Sequence, residues 1–546
     1  GSGTSAADSS GQIDGTISDN GVLRVSEAPA LPPHGPVWSS TISPFAVTPN
    51  SALAATGQWM PPLDLGFVAV HMALLRTGRV LIWDSFGFPG EDDRRAYSWN
   101  PSTDVATILP DPLDNLFCAA QTLLSDGNAF IAGGHVAAWD GILDANIFNA
   151  TTESWVTPPP PNMNTTGMNA NGGRWYPTVT RLPDGRILLV SGTGDGTAGN
   201  VILPLDVYTP APTNSWTNLP SSANLTTSPQ MAELYPFIFV IPGTVDRVLY
   251  AGSDEAYTVT RALNLSTNTW TTIDGTIREG GSAAMYDAVD GRIIKSGSHG
   301  DVDVDVPFVS SANTFIINMS DATPAWLQIG NMASTRSFHT LTPLADGTVI
   351  VTGGTVSNDE AAAAAVNIPQ IFDPASGPNG AWNTTTLASA QLRRAYHANA
   401  ILLPDGRVLV AGSGRLGTMP DLDPGPTIRT GEYRREIFSP PYLFKGPRPV
   451  ISTAPASALY GASISITMPD NMSGMTISKV GLIGLGAPTH GIDMNTRYVP
   501  LTFSQTGSAI NATAPASGRI APPGYYMLFA VNNNGVPSVA RFIQIQ

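Results

Sequence analysis

A single cysteine, Cys118, is all the sulfhydryl chemistry that 546 residues contain. No disulfide can form within the chain, so burial and hydrogen bonding must hold the fold. Basic residues are few: 27 Lys and Arg stand against 42 Asp and Glu, a net charge of −15. That balance argues against a nucleic-acid partner, which needs a basic face to neutralise phosphates. No uninterrupted apolar run approaches the length of a membrane-spanning helix, so no membrane span is expected. Charge of either sign is sparse, at 13% of residues, while Gly (54) and Pro (47) are abundant. With plentiful Thr, Val and Ile, that composition favours an all-β chain over a helical one.

What is present is a repeat: an apolar strand, a tight turn containing Asp-Gly, and a second apolar strand ending in Gly. It reads clearly over Cys118–Gly134, Tyr176–Gly192, Phe338–Gly354 and Tyr396–Gly412. Asp-Gly between apolar runs marks a hairpin, because the turn needs a positive φ that glycine adopts without strain. Weaker copies surround Thr77-Gly78, Val245-Asp246 and Asp290-Gly291, which makes seven units with turns 45 to 61 residues apart. Spacing near 50 predicts a seven-bladed kelch-type β-propeller, each four-stranded blade being one repeat. The competing reading is two sandwich domains whose turns coincide.

The propeller is expected over 51–440. Pro440, Pro441, Pro447 and Pro449 then mark a linker, and short alternating strands over 441–546 predict an immunoglobulin-like β-sandwich. Residues 1–50 form a Pro/Ser-rich extension expected to wrap the propeller or to supply a strand that closes it. The opening Gly1-Ser2-Gly3-Thr4-Ser5 reads as an expression remnant ahead of a mature N-terminus. Asn-x-Ser/Thr triplets begin at Asn149, Asn164, Asn224, Asn264, Asn318, Asn383, Asn471 and Asn511. With the acidic balance and scarce lysine they point to a secreted glycoprotein.

Counting back eight residues from each turn Asp gives Cys118, Tyr176, Phe338 and His397. Equivalent positions in a propeller are related by rotation about its axis, so these side chains can converge near one mouth of the central channel. Tyr396 and His397 are sequence neighbours and would point to opposite faces of a regular strand. Both reach one metal only if the strand end bends. His490, in Pro488-Thr489-His490-Gly491, lies on a C-terminal-domain loop that can enter the channel. Two imidazoles with phenolic oxygens form a mixed N/O set suited to Cu(II). Each residue also has a structural reading: Cys118 as a small buried hydrophobe, Tyr176 and Tyr396 as packing aromatics, His397 and His490 as hydrogen-bonding groups. His34, His71, His135, His299 and His339 are read as structural.

Phe117-Cys118, Arg174-Trp175-Tyr176-Pro177, Arg394-Ala395-Tyr396-His397 and Thr489-His490-Gly491 resemble, in order, the four signature sites of the copper radical oxidases. That family includes galactose oxidase and glyoxal oxidase, and the similarity covers residues 50 to 546. The resemblance implies Cu(2+) held by Tyr176, Tyr396, His397 and His490, with Tyr396 as axial ligand and general base. It implies a thioether between Cys118 and the Tyr176 ring, which carries a radical. The implied reaction oxidises small aldehydes, as hydrates, or primary alcohols with O2 and releases hydrogen peroxide. A monomer acting on a small molecule is expected.

Galactose oxidase has a tryptophan stacked over its modified tyrosine, from a Gly-Gly-Ser-Trp segment. This chain reads Ser191-Gly192-Thr193-Gly194-Asp195 there, without an aromatic, and His299 is the candidate cover. No separate N-terminal carbohydrate-binding domain fits in the length. Both departures point away from galactose and towards glyoxal or simple alcohols. The alternative function is a non-catalytic propeller that binds a glycan or protein through its loops.

Overall fold

The computed structural model describes residues 49–84, 95–163, 173–254, 256–298, 310–357, 364–414 and 431–546, preceded by a short ribbon pairing Thr16–Ile17 with Leu23–Arg24. Among the described residues the one α-helix is Leu53–Thr56, and the rest of the regular structure is almost entirely strand. Seven antiparallel sheets follow one another along the chain. Their first strands are His71–Leu74, Ala120–Leu123, Thr178–Arg181, Pro236–Ile241, Ser282–Asp287, Ser337–Pro343 and Ala398–Leu402, which we number sheets 1 to 7. In sheets 1 to 6 the four strands pair in sequence order. The first two strands of sheets 1, 2 and 3 are buried at every position, as continuous apolar runs require, whereas the outer strand Val105–Ile108 is partly exposed.

The Asp-Gly turns act through specific bonds. In sheet 2 the Asp126 carboxylate accepts the Asn128 amide at 2.9 Å, and Gly127 has φ +82°. Asp184, Asp346 and Asp405 accept the amide two residues on in the same way. This Asx-type bond closes the turn that glycine makes possible. Sheet 4, whose turn lacks the Asp-Gly pair, keeps the hairpin with a five-residue connection over 242–246, and sheet 5 turns through Asp290-Gly291 in a four-residue connection over 288–291.

Sheet 7 takes its outer strands from the other end of the chain: Gln58–Trp59 and Leu63–Asp64 both pair with Arg434–Ser439. The sequence reading allowed a wrapping segment or a closing strand before about residue 50; these two strands lie just beyond that stretch. His34 and His299 fall outside the described residues. Neighbouring first strands touch from sheet 1 to sheet 4 and from sheet 5 to sheet 7, and the first strand of sheet 7 touches that of sheet 1.

Three arginines, Arg174, Arg336 and Arg394, stand two residues ahead of Tyr176, Phe338 and Tyr396, all buried. Each donates to a carbonyl at the end of its own sheet's second strand: Ser191 at 2.7 Å, Gly353 at 2.6 Å and Gly412 at 2.9 Å. Arg174 also pairs with Asp206, and Arg394 with Glu436. The clamp ties the entry of each first strand to the exit of the second.

After Pro449 a five-stranded and a three-stranded sheet follow. Ile464, Ile466, Ile510 and Ala512 of the smaller sheet pack in one apolar cluster with Val480, Leu482 and Leu528 of the larger. The same cluster runs on to Cys118, Tyr176 and Tyr396. The loop after Ile477–Gly484 is held by the seven-sheet body. The amides of Met72 and Leu74 donate to the Pro488 and Gly486 carbonyls at 3.1 and 2.8 Å. Gln121 Nε2 donates to Pro488 O, Ser282 Oγ to Gly491 O, and the Gly491 amide to Asn399 Oδ1. Strands of sheets 1, 2, 5 and 7 therefore grip one short loop.

Glu436→Ala leaves the Arg394 guanidinium buried without its carboxylate. The expected loss is about 3–5 kcal/mol, read as a lowered thermal midpoint with the fold otherwise retained.

Candidate functional site

A left-handed backbone residue marks the entry to five of the first strands. Cys118 (φ +62°), Tyr176 (+58°), Tyr235 (+41°), Phe338 (+59°) and His397 (+69°) all adopt it, although none is glycine. Such a conformation costs each side chain roughly 1–2 kcal/mol, and here it cancels strand alternation. Tyr396 and His397 consequently lie on one side, their rings 4.0 Å apart and 29° from parallel. The bend that the sequence reading required is present.

Trp175 and Tyr176 do the same, stacked at 3.7 Å and 11°. The aromatic that covers Tyr176 is thus its own predecessor in sequence. Trp175 is held by its Nε1–H, which donates to His135 Nδ1 at 3.0 Å, and by paired backbone bonds with Thr193. Sequence reasoning applied the bend to Tyr396-His397 and not to the identical position one motif earlier, so Trp175 was missed. Tyr235 was missed too: its ring sits 4.5 Å from Tyr176 and its hydroxyl donates to Ala119 O at 2.9 Å. The weaker turn of sheet 4 hid its repeat position.

The predicted residues come together. The Tyr176 and Tyr396 hydroxyls are hydrogen-bonded to each other. The His397 and His490 rings are 4.5 Å apart and nearly perpendicular, and His490 lies 4.8 Å from the Tyr176 ring. Cys118 is in the adjoining sheet, its carbonyl accepting the Tyr176 amide at 3.0 Å, and the Tyr176 carbonyl accepts the Tyr235 amide likewise. All five predicted site residues are buried.

Second partners orient both imidazoles. His397 Nδ1 donates to Gly414 O at 2.9 Å. His490 Nδ1 donates to Thr489 Oγ1 at 2.7 Å, and that hydroxyl donates in turn to Val70 O. These bonds put the ring proton on Nδ1 and leave the lone pair on Nε2, the arrangement typical of metal-ligating histidine. His490 Nε2 is buried with no hydrogen-bond partner. Such an atom is costly unless something fills the place, and a cation does so. Among the described residues no three His, Cys, Asp or Glu side chains cluster as a metal set, and the further donor atoms beside the two imidazoles are the phenol oxygens. The two imidazoles and two phenols fit copper.

His71, read as structural, positions the site. Its Nδ1 donates to Gln121 Oε1 at 3.1 Å and its Nε2 accepts the Cys118 amide at 3.2 Å. Gln121 continues to Pro488 O at 2.7 Å, so one relay of bonds links the Cys118 and His490 segments. Burial pushes the His71 imidazole down to about 3. Burial, with Arg336 beside it, does the same to His339.

The glyoxal oxidase N-terminus family model matches residues 104–442, and the galactose oxidase-like early set domain model matches 448–545. A galactose oxidase of Gibberella zeae is 28% identical over 94% of this chain and 74% of its own. An aldehyde oxidase GLOX of Vitis pseudoreticulata is 28% identical over 92% of this chain and 99% of its own. A fungal alcohol oxidase solved in complex with copper superposes with a TM-score of 0.72 over 90% of this chain and 100% of its own, at 24% identity, and so shares the fold.

Neutral buried histidines bind protons only on unfolding, so their stabilisation is complete above the ordinary value of about 6.5 and is lost as pH falls towards about 3. The melting temperature of the metal-free protein should fall between about pH 6.5 and about pH 4. His339→Gln should make that decline shallower.

Proposed function

The chain belongs to the glyoxal oxidase and galactose oxidase-like family, and on that premise we propose how its buried cluster works. The protein is a copper radical oxidase that oxidises small aldehydes or primary alcohols with dioxygen and releases hydrogen peroxide. Tyr176, Tyr396, His397 and His490 hold the Cu(II), through the two phenol oxygens and the two Nε2 atoms. The observation that carries this reading is the unsatisfied, buried Nε2 of His490 among a second imidazole and two hydrogen-bonded phenols.

Cys118 Sγ is joined to the Tyr176 ring. Forming that C–S bond removes one hydrogen from the thiol and one from the ring, and dioxygen takes both with their electrons to become hydrogen peroxide. When bound, copper supplies a one-electron acceptor and a Lewis acid for the substrate oxygen. The sulfur-substituted Tyr176 ring is the second one-electron acceptor, which a two-electron oxidation requires. Tyr396 Oη receives the proton of the substrate hydroxyl, and Tyr176 Oη takes the hydrogen from the adjacent carbon. Trp175, stacked on that ring, excludes water from one face. An aldehyde enters as its hydrate, which presents the same hydroxyl.

The seven sheets form a closed seven-bladed propeller over 51–440, a reading supported by contact between the first strands of sheets 7 and 1. Residues 441–546 form the sandwich that supplies His490. The enzyme is a secreted monomer, and the exposed Asn471 and Asn511 are suited to carry glycans.

Loading with copper in air should lower the intact mass by two hydrogens, localised to a peptide pair containing Cys118 and Tyr176. A titratable thiol persisting after full loading would sink the proposal. Tyr396→Phe should keep that mass change and lose about 10²–10⁴-fold in peroxide release, the usual contribution of a general base. Trp175→Ala should shorten the lifetime of the oxidised Tyr176 ring, followed by its visible absorption.

A further inference from the structure

Beside the cluster lies a cavity of about 360 Å³ whose walls include Trp139, Val201, Gln230, Glu233 and Leu234. Its volume suits one small molecule. Two of its lining residues lead to the reacting ring, each through one intervening side chain. The Trp139 indole packs 5.1 Å from Trp175, which stacks on Tyr176. Leu234 directly precedes Tyr235, whose ring flanks Tyr176 from the other direction.

The lining combines an aromatic wall with a polar corner. Trp139 has φ +65°, a rare conformation for a bulky side chain, and strain of this kind persists where surroundings fix it, often at ligand clamps. Its carbonyl accepts the Gly196 amide at 3.1 Å, which helps to fix it. Gln230 Nε2 donates to Glu233 Oε1 at 3.0 Å, presenting a half-buried carboxylate with a neighbouring amide. Burial raises the affinity of that carboxyl for its proton, and the Gln230 bond opposes the change. A flat indole face with carboxylate and amide oxygens suits a neutral chain bearing several hydroxyls: C–H groups pack on the ring while the hydroxyls donate to the oxygens. An anionic substrate would meet Glu233 unfavourably.

Resting on the oxidase reading above, we infer that this cavity is the subsite for the part of the substrate remote from the reacting carbon, and that it selects neutral polyhydroxylated alcohols or aldehydes. Trp139 and Glu233 are then residues that determine specificity, and neither takes part in the chemistry.

The test uses the copper-loaded enzyme with xylitol, 1-pentanol, glyoxylate and the two-carbon glycolaldehyde. Wild type should prefer xylitol to 1-pentanol. In Trp139→Ala and Glu233→Ala the ratio of kcat/KM for xylitol to that for glycolaldehyde should fall about tenfold, the value of one lost contact, chiefly through KM. Glu233→Gln should improve the ratio of glyoxylate to glycolaldehyde. Separately, xylitol added to the copper-free protein should perturb tryptophan fluorescence saturably, and Trp139→Ala should remove that change. Unaltered ratios in all three variants, or no saturable binding by wild type, overturn the subsite. Failure of the oxidase reading shows differently, as an unchanged intact mass and no peroxide from any substrate, while the fluorescence titration still reports on the cavity.

Discussion

The hydrogen bonds that seat Pro488–Ile492 on the strands of four sheets are the constraint from which the rest of the site follows. A loop from the C-terminal unit has no regular strand partner of its own at this depth, and its buried amides and carbonyls would be costly if unmade. Met72, Leu74, Gln121, Ser282 and Asn399 satisfy them. His490 is thereby fixed relative to residues that arrive from sheets 3 and 7. The relay through His71 and Gln121 extends the same constraint to Cys118, so residues far apart in sequence are held by one polar network. Fully satisfied networks of this kind specify a single arrangement.

Convergence also needs the left-handed entries. A strand that began with ordinary alternation would turn Tyr396 or His397, and Trp175 or Tyr176, away from the cluster. The strain falls on non-glycine residues whose side chains pack in and around the cluster. The buried arginines stand two or three residues before three of these positions and bind the exits of the neighbouring strands. They hold in place a backbone that would otherwise relax.

Much of this was legible in the sequence. The Asp-Gly turns announced the hairpins because each Asp caps its own turn, and counting from them aligned Cys118, Tyr176 and His397 before any coordinate was known. Two features resisted. Sheet 4 has no Asp-Gly turn, so Tyr235 could not be put in register. Trp175 was not considered as the cover, since alternation sends neighbours to opposite faces and a positive φ at a tyrosine is not written in composition or spacing. His71 looked like a core histidine by every sequence criterion, since its role lies in which backbone amide it accepts. The outer strands of sheet 7 were not located in the sequence, because a two-residue strand such as Gln58–Trp59 carries no periodicity of its own.

The residues of the proposed site are spread along the chain, with the cysteine first and His490 last. During synthesis Cys118 and Tyr176 leave the ribosome more than three hundred residues before the loop that would complete the ligand set. If joining Cys118 to Tyr176 needs the full proposed ligand set, chain order would delay it until the C-terminal unit has been made.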